Sequence, residues 1–204
     1  MEYNIGKREI VLNRKLSNLD KFVLDFCKLL DEYVIVSGYV SILFGRSRAT
    51  EDVDLLVPKM DKDRFLRLWE KIHNSGFECL NTSKPEEAFG MLNEHAIRFS
   101  KKGLPVPNME FKVMKNKDDE YSFHRKIKVK TIGGELYISP LEMQIAFKLD
   151  LGSEKDLEDA SHLYELFKDK LNKEEMAKII NQFGVKDKFE LIKKEYGTKF
   201  RKTE

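Results

Sequence analysis

The sequence lacks the features that mark secreted, membrane-spanning and metal-caged proteins. Only two of its 204 residues are cysteines, and Cys27 and Cys79 lie far apart among apolar neighbours. They therefore predict reduced core thiols and not disulfide partners or zinc ligands. No apolar run approaches the roughly 20 residues that a transmembrane helix needs, and the first residues contain no apolar signal-peptide segment. We therefore expect a cytoplasmic protein that does not contact a membrane.

A large excess of charge of one sign is also absent. The chain has 37 Lys and Arg residues against 35 Asp and Glu residues, a formal net charge of +2. Any surface for nucleic acid must therefore come from the distribution of charge and not from its total. The four histidines show no metal-ligand spacing. Hydrophobic residues make up 41% of the chain, enough for the core of one domain or of a domain with an appendage.

The hydrophobic periodicity changes at about residue 139, from strands mixed with helices to helices alone. This pattern predicts an α/β or α+β core with a mixed sheet flanked by helices, followed by a C-terminal helical bundle. We place the core at residues 1–138 and the helical region at 139–204. We read Ser139 and Glu142 as a capping box with Pro140 at the first helical position. Strands are predicted over 33–38, 53–58, 77–80, 95–100 and 109–114, with a hairpin around Gly133-Gly134 and helices over 16–32, 39–44, 61–76, 140–151 and 154–169, then two shorter ones to about 196.

Two carboxylates, Asp52 and Asp54, begin one of these strands. Alternate residues of a strand point to the same face, so the two side chains repel each other unless a cation lies between them. Mg²⁺ prefers one or two carboxylates together with phosphate oxygens and water. The Ser37-Gly38 turn before the short helix brings backbone N–H groups where phosphate could bind, and Arg46 and Arg48 could meet phosphate charge.

This stretch resembles the signature of polymerase-beta-like nucleotidyltransferases. In that family a strand, a glycine turn and a short helix lead into a strand that carries Asp-x-Asp. The closest likeness is to the AbiEii-type branch, known from abortive-infection and toxin–antitoxin systems. Ser37 stands where that branch has its first glycine, and Ser41 stands where it has alanine. The matching residues are, in order, Ser37, Gly38, Gly45, Arg48, Thr50, Asp52 and Asp54.

The resemblance extends to about residue 170 and implies further site residues. Glu110 matches the family's third acidic residue on a neighbouring strand, where aspartate is commoner. Ser139, Glu142, Ile145 and Lys148 match a helix that follows the core in this family. The next helix carries Asp156 and Asp159 where the family has Arg-Asp-x-x-Asp, with Lys155 in place of arginine. We expect Asp159 to be the partner of Lys148.

By this resemblance the chain is a Mg²⁺-dependent nucleotidyltransferase that transfers a nucleoside monophosphate from an NTP, ATP included, to an acceptor hydroxyl. The implied acceptor is the 3′ end of an RNA such as tRNA, and a cognate antitoxin is an implied partner. The implied catalytic residues are Asp52, Asp54, Glu110 and Lys148, the first three of them also metal ligands, and the implied nucleotide-binding residues are Ser37, Gly38, Arg46, Arg48 and Asp159. The cations that could dock RNA are Lys112, Lys115, Lys117, Arg125, Lys126, Lys128 and Lys130.

Two other functions fit the same residues. A nucleotide-binding partner protein without turnover would account for Ser37 in place of glycine and Glu110 in place of aspartate. An enzyme that modifies a protein or small-molecule hydroxyl would use the same carboxylates. Each predicted site residue also has a plainer interpretation, as a solvated strand carboxylate, a loop arginine, a surface lysine with a buried stem or a helix-surface acid.

Overall fold

A nine-stranded mixed sheet forms the centre of the computed structural model, which describes residues 1–199. Its strands are β1 (Glu2–Asn4), β2 (Glu9–Leu12), β3 (Val34–Ile35), β4 (Asp52–Val57), β5 (Phe77–Cys79), β6 (Ile97–Lys101), β7 (Leu104–Val113), β8 (Ile127–Thr131) and β9 (Gly134–Ile138). They lie in the order β1-β2-β8-β9-β3-β4-β7-β6-β5. The helices are α1 (Asn18–Cys27), α2 (Gly38–Leu43), α3 (Lys62–Asn74), α4 (Pro85–Leu92), α5 (Lys117–His124), α6 (Leu141–Leu151), α7 (Glu154–Phe167), α8 (Lys173–Phe183) and α9 (Lys186–Lys199). The predicted mixed sheet with flanking helices is confirmed.

The strand β4 lies in the interior of the sheet, where it pairs antiparallel with β3 and parallel with β7. Alternation along β4 sends Val53, Leu55 and Val57 into the main hydrophobic core. Asp52 and Asp54 therefore point to the opposite face and are partly exposed. The alternation thus places the two carboxylates together on one side of the sheet.

The C-terminal helices pack on the same hydrophobic core as the sheet. Side chains of α6, α7 and α8, among them Leu149, Leu163 and Met176, belong to the cluster that contains the strand residues. Phe44, just after α2, meets Phe167 of α7 edge to face with ring centroids 4.8 Å apart. The division at residues 138 and 139 stays a prediction, and residues 200–204 of the predicted helical region lie outside the described residues.

The predicted capping box at Ser139 is wrong. No side-chain cap forms at the start of α6, because Ser139 continues the strand pairing and its N–H donates to the Ile35 carbonyl at 2.9 Å. Glu142 is likewise engaged elsewhere, since its Oε1 accepts from the Asn172 N–H at 2.8 Å. The carboxylate therefore joins α6 to the start of α8 and leaves its own helix end uncapped.

Several short or polar elements were not predicted, namely β1, β2, α4 and α5. The segment 101–108, expected to be a loop, forms a tight turn at Gly103, where φ is +75°, and then enters β7. Asn116 caps α5 by accepting from the N–H groups of Asp118 and Asp119. Within residues 1–199, no helix combines the length and the apolar character that crossing a bilayer requires.

Candidate functional site

The turn between β3 and α2 has a backbone that suits glycine better than the residue it contains. Ser37 has φ 62° and ψ −140°, in a region where side chains other than hydrogen are strained. The next residue is glycine for a steric reason, because a Cβ on Gly38 would lie 2.2 Å from Nη2 of Arg48. The turn thus has one strained residue and one whose Cβ would displace the Arg48 guanidinium.

Two carboxylates from adjacent parallel strands meet on the face opposite the main core. Asp54 of β4 and Glu110 of β7 are Cα partners in the strand register. The Lys112 ammonium lies between them, 2.6 Å from Asp54 Oδ1 and 2.7 Å from Glu110 Oε2. Arg98 Nη2 also contacts Glu110 Oε1 at 3.0 Å. We call Asp54, Glu110 and Lys112 the cleft cluster.

Asp52 lies two residues before Asp54 in β4 and therefore on the same face of the sheet. Thr50 Oγ1 donates to the Asp52 backbone carbonyl at 2.9 Å and lies 3.3 Å from its Oδ1. No ion pair of Asp52 is present in the described part of the chain. Asp52 therefore differs from Asp54 in having no cationic partner there.

The two carboxyl groups of the cleft cluster differ in pKa. Burial raises the pKa of Asp54 above its ordinary value of 3.8, and although Lys112 lowers it, the neighbouring Glu110 raises it further. Burial also raises the pKa of Glu110, but its hydrogen bonds with Asp54 and Lys112 outweigh burial and bring the pKa below 4.5. Burial lowers the pKa of Lys112, yet the two carboxylates more than compensate and raise it above 10.5. Glu110 is thus the carboxyl group that ionises more easily, and Lys112 is positively charged at neutral pH.

A cavity of about 510 Å³ opens beside the cleft cluster, between the sheet and α6. Gln144 of α6 is only 2% exposed, and its Oε1 has no hydrogen-bond partner among the described residues. A buried amide oxygen without a partner is costly unless a ligand or water satisfies it. The lining includes Ser37, Asp54, Lys112, Asn116, Ser139 and Gln144.

The other predicted nucleotide-binding residues form a second and more deeply buried group of ion pairs. The Arg48 guanidinium makes two contacts with the Asp159 carboxylate, at 3.0 and 2.9 Å. Lys148 Nζ lies 3.2 Å from Asp159 Oδ2 and 2.7 Å from Asp156 Oδ1. Arg46 contacts Glu158, and its Nε is 3.6 Å from Asp159 Oδ1. We call Arg46, Arg48, Lys148, Asp156 and Asp159 the buried cluster.

The buried cluster ties the loop before β4 to α7. Asp159 is fully buried and Lys148 is 2% exposed, so Lys148 projects neither into solvent nor into the cavity beside Asp54. Burial raises the pKa of Asp156, but hydrogen bonds from Lys148 and Ser153 lower it below 3.8. The structure thus brings Lys148 and Asp159 together, as expected from the sequence, but separates them from the cleft cluster. Their predicted roles toward a nucleotide stay predictions.

The donor set of the cleft cluster fits a divalent cation. Among the described residues no group of three or more His, Cys, Asp or Glu side chains is arranged to hold a metal ion. Asp54 and Glu110 nevertheless direct one oxygen each at a single cation, the Lys112 ammonium. Mg²⁺ prefers one or two carboxylates together with phosphate oxygens and water, and Asp54 and Glu110 supply two such carboxylates. Magnesium binding itself stays a prediction.

The position of Lys112 was not predicted, since the sequence suggested a role for it in docking RNA. Its place two residues after Glu110 is the signal that could have revealed it, because alternate strand residues share a face. Three other cations of the predicted docking face also pair with carboxylates: Arg125 with Glu175, Lys128 with Glu135 and Lys130 with Glu9. The docking of RNA on this face stays a prediction.

The fold resembles those of solved nucleotidyltransferase-like proteins. The chain is similar to a solved antigenic nucleotidyltransferase-like protein from Paracoccidioides brasiliensis, at 16% identity over 83% of this chain and 88% of that one, with a TM-score of 0.50. It is also similar to the solution structure of the antibiotic-resistance factor ANT(2'')-Ia, at 10% identity over 89% of this chain and 99% of that one, with a TM-score of 0.53. No protein-family model and no curated protein sequence matches the chain. The likeness is one of fold, and the AbiEii-type branch stays a prediction.

Proposed function

We propose that the chain is a nucleotidyltransferase that moves a nucleoside monophosphate from an NTP to an acceptor hydroxyl. The observation that carries this proposal is the pair Asp54 and Glu110, which meet around a cation at the edge of a cavity in a nucleotidyltransferase-like fold. The acceptor oxygen bonds to the α-phosphorus, the bond between the α-phosphorus and the bridging oxygen breaks, and pyrophosphate leaves. The hydroxyl proton needs a base in the site.

Glu110 supplies that base. Its pKa lies below that of an ordinary glutamate, so it is ionised at neutral pH and can accept a proton. Asp52 and Asp54 would hold magnesium together with Glu110, and the ion would neutralise phosphate charge and polarise the reacting oxygens. Lys112 lines the cavity as a donor for phosphate, and Gln144 Oε1 as an acceptor for the polar edge of a nucleotide.

The proposal also concerns the molecule that carries the acceptor hydroxyl. An RNA 3′ end, such as that of tRNA, is the acceptor expected from the AbiEii-type resemblance, with a cognate antitoxin as partner. A protein or small-molecule hydroxyl would be attacked by the same chemistry. Incubation with each α-labelled NTP, Mg²⁺ and total RNA, protein extract or small metabolites separates the three, because the label appears in a different fraction for each acceptor.

Asp54→Asn tests the proposed reaction. Loss of one metal-binding carboxylate removes several kcal/mol of transition-state stabilisation, so transfer of the label should fall by at least about 100-fold. Glu110→Gln preserves the shape but removes the base, and should slow transfer by about 100-fold or more with little change in NTP affinity. Retention of full activity by Asp54→Asn would refute the proposed site.

One observation favours a second candidate, a nucleotide-binding protein without turnover. Lys112 already satisfies the two carboxylates that would hold the metal, as expected for a site that no longer takes one. The same assay decides between the two candidates. An inactive binding protein would retain labelled NTP on filters and would pass label to none of the three fractions.

A further inference from the structure

Together with Arg98, the cleft cluster is electrically balanced before any ligand enters it. The negative charges of Asp54 and Glu110 face the positive charges of Lys112 and Arg98 at 2.6–3.0 Å. A divalent ion coordinated by carboxylate oxygens sits at about 2.1 Å from them, so it cannot bind there while the ammonium occupies the same space. A divalent cation must therefore displace Lys112.

Lys112 has room to move. Its side chain is 35% exposed, and it lines both the cavity of about 510 Å³ and a neighbouring one of about 280 Å³. Asn116 and Asp119 line both of these cavities as well. Rotation about the four-carbon stem can carry the ammonium away from the carboxylates without unpacking the core. Lys148, at 2% exposure, has no such freedom.

We propose that Lys112 is an internal counter-cation, which holds the divalent-cation position in the nucleotide-free protein and passes to the phosphate groups when cation and nucleotide enter together. This inference rests on the proposed function, because the same carboxylates would bind the metal. It adds to that function a coupling between the affinity for the divalent cation and the affinity for the nucleotide. The divalent ion binds weakly alone, since it must displace an ammonium that then has no anion, and binds well when a triphosphate receives that ammonium.

Nucleotide-free Mn²⁺ binding tests the counter-cation directly, with free Mn²⁺ followed by its electron paramagnetic resonance signal. Lys112→Met retains the length of the stem and removes the charge. It should bind Mn²⁺ at least about tenfold more tightly than the native chain, because the ammonium that occupies the cation position between both carboxylates is gone. Arg98→Met is the matched control, since it removes the other cation from Glu110 but leaves the ammonium in place, and its affinity should stay within about threefold of the native value.

Thermal unfolding gives a second measure. Lys112→Met should gain thermal stability when Mg²⁺ is added without nucleotide, whereas the native chain should gain it only with Mg²⁺ and a non-hydrolysable triphosphate analogue together. Adding Asp54→Asn to the variant should abolish its gain, which locates the ion. Lys112→Gln replaces Lys112→Met if that variant does not fold.

Equal Mn²⁺ affinity of the native chain and Lys112→Met would overturn the inference. It would also be overturned if Arg98→Met gained as much Mn²⁺ affinity as Lys112→Met. Neither result depends on turnover. If the native chain transfers no label but Lys112→Met binds Mn²⁺ more tightly, the counter-cation is supported and the proposed reaction is not. If the native chain transfers label while the variant gains no affinity, the reaction is supported and the counter-cation is wrong.

Discussion

The cleft cluster and the buried cluster contain the same kinds of groups but differ in burial. In the buried cluster Asp159 is fully buried and Lys148 is 2% exposed, with both oxygens of Asp159 engaged by cations. In the cleft cluster the side chains of Asp54 and Lys112 are 19% and 35% exposed beside a cavity. A buried ion pair is costly to break because it leaves a charge without a partner. We therefore infer that the buried cluster fixes the loop before β4 and that the cleft cluster is the part free to exchange ligands.

The largest expected difference between the clusters is in stability. Asp159→Asn leaves the Arg48 guanidinium buried without its carboxylate, so the free energy of unfolding should fall by about 3 kcal/mol. Asp54→Asn is the matched variant in the cleft cluster, and it should change stability by less than about 1 kcal/mol because Lys112 retains Glu110. Urea unfolding at pH 7 measures both. Similar losses of unfolding free energy in the two variants would contradict the inferred difference between the buried cluster and the cleft cluster.

Gly38→Ala should perturb the buried cluster through sterics alone. The new Cβ would lie 2.2 Å from Arg48 Nη2, so the guanidinium must leave its paired contacts with Asp159, at a cost of about 1–2 kcal/mol. Gly90→Ala in α4 is the control, since nothing lies within 4 Å of its Cβ position, and it should stabilise the chain by up to about 1 kcal/mol. Equal effects of the two substitutions would show that Arg48 adapts without loss.

Asp156 of the buried cluster and Asp54 of the cleft cluster should respond to pH with opposite signs. The folded-state pKa of Asp156 lies below its ordinary value of 3.8, so its stabilising contribution is present above pH 3.8 and is lost as the pH falls through the folded pKa. The folded-state pKa of Asp54 lies above 3.8. Its contribution is therefore present below pH 3.8 and is lost as the pH rises through the folded pKa.

Asparagine variants measured from about pH 3 to pH 7 would test these signs. The native chain should lose its stability advantage over Asp156→Asn as the pH falls below 3.8. Relative to Asp54→Asn, the native chain should lose stability as the pH rises above 3.8. The same sign for both carboxylates would contradict the opposite pKa shifts of Asp54 and Asp156.

Local sequence patterns predicted the strands that carry the cleft cluster, and the resemblance predicted the Lys148–Asp159 pair of the buried cluster, but neither predicted that Arg48 pairs with Asp159. Alternation within β4 and β7 is a local signal, and it was enough to predict both strands. The placement of Glu110 on a strand next to that of Asp54 came from the resemblance. The contact of Arg48 with Asp159 joins residues 111 positions apart, and no local period reports such a distance. The elements β1 and β2, of three and four residues, were missed because so short a run carries little periodicity.

The smallest expected effect on stability concerns Ser37. This residue lines the cavity and directly precedes Gly38, whose Cα lies against the Arg48 guanidinium. Its φ of 62° and ψ of −140° cost a residue with a side chain about 1–3 kcal/mol, and glycine avoids that strain but loses more backbone entropy on folding. Ser37→Gly should therefore stabilise the chain by about 1 kcal/mol. Ser37→Ala is the control, because it retains the strain and removes only a hydroxyl that makes no cap to α2, and its stability should equal that of the native chain within about 0.5 kcal/mol. Urea unfolding measures both, and a Ser37→Gly variant less stable than Ser37→Ala would mean that the turn is not strained by its side chain.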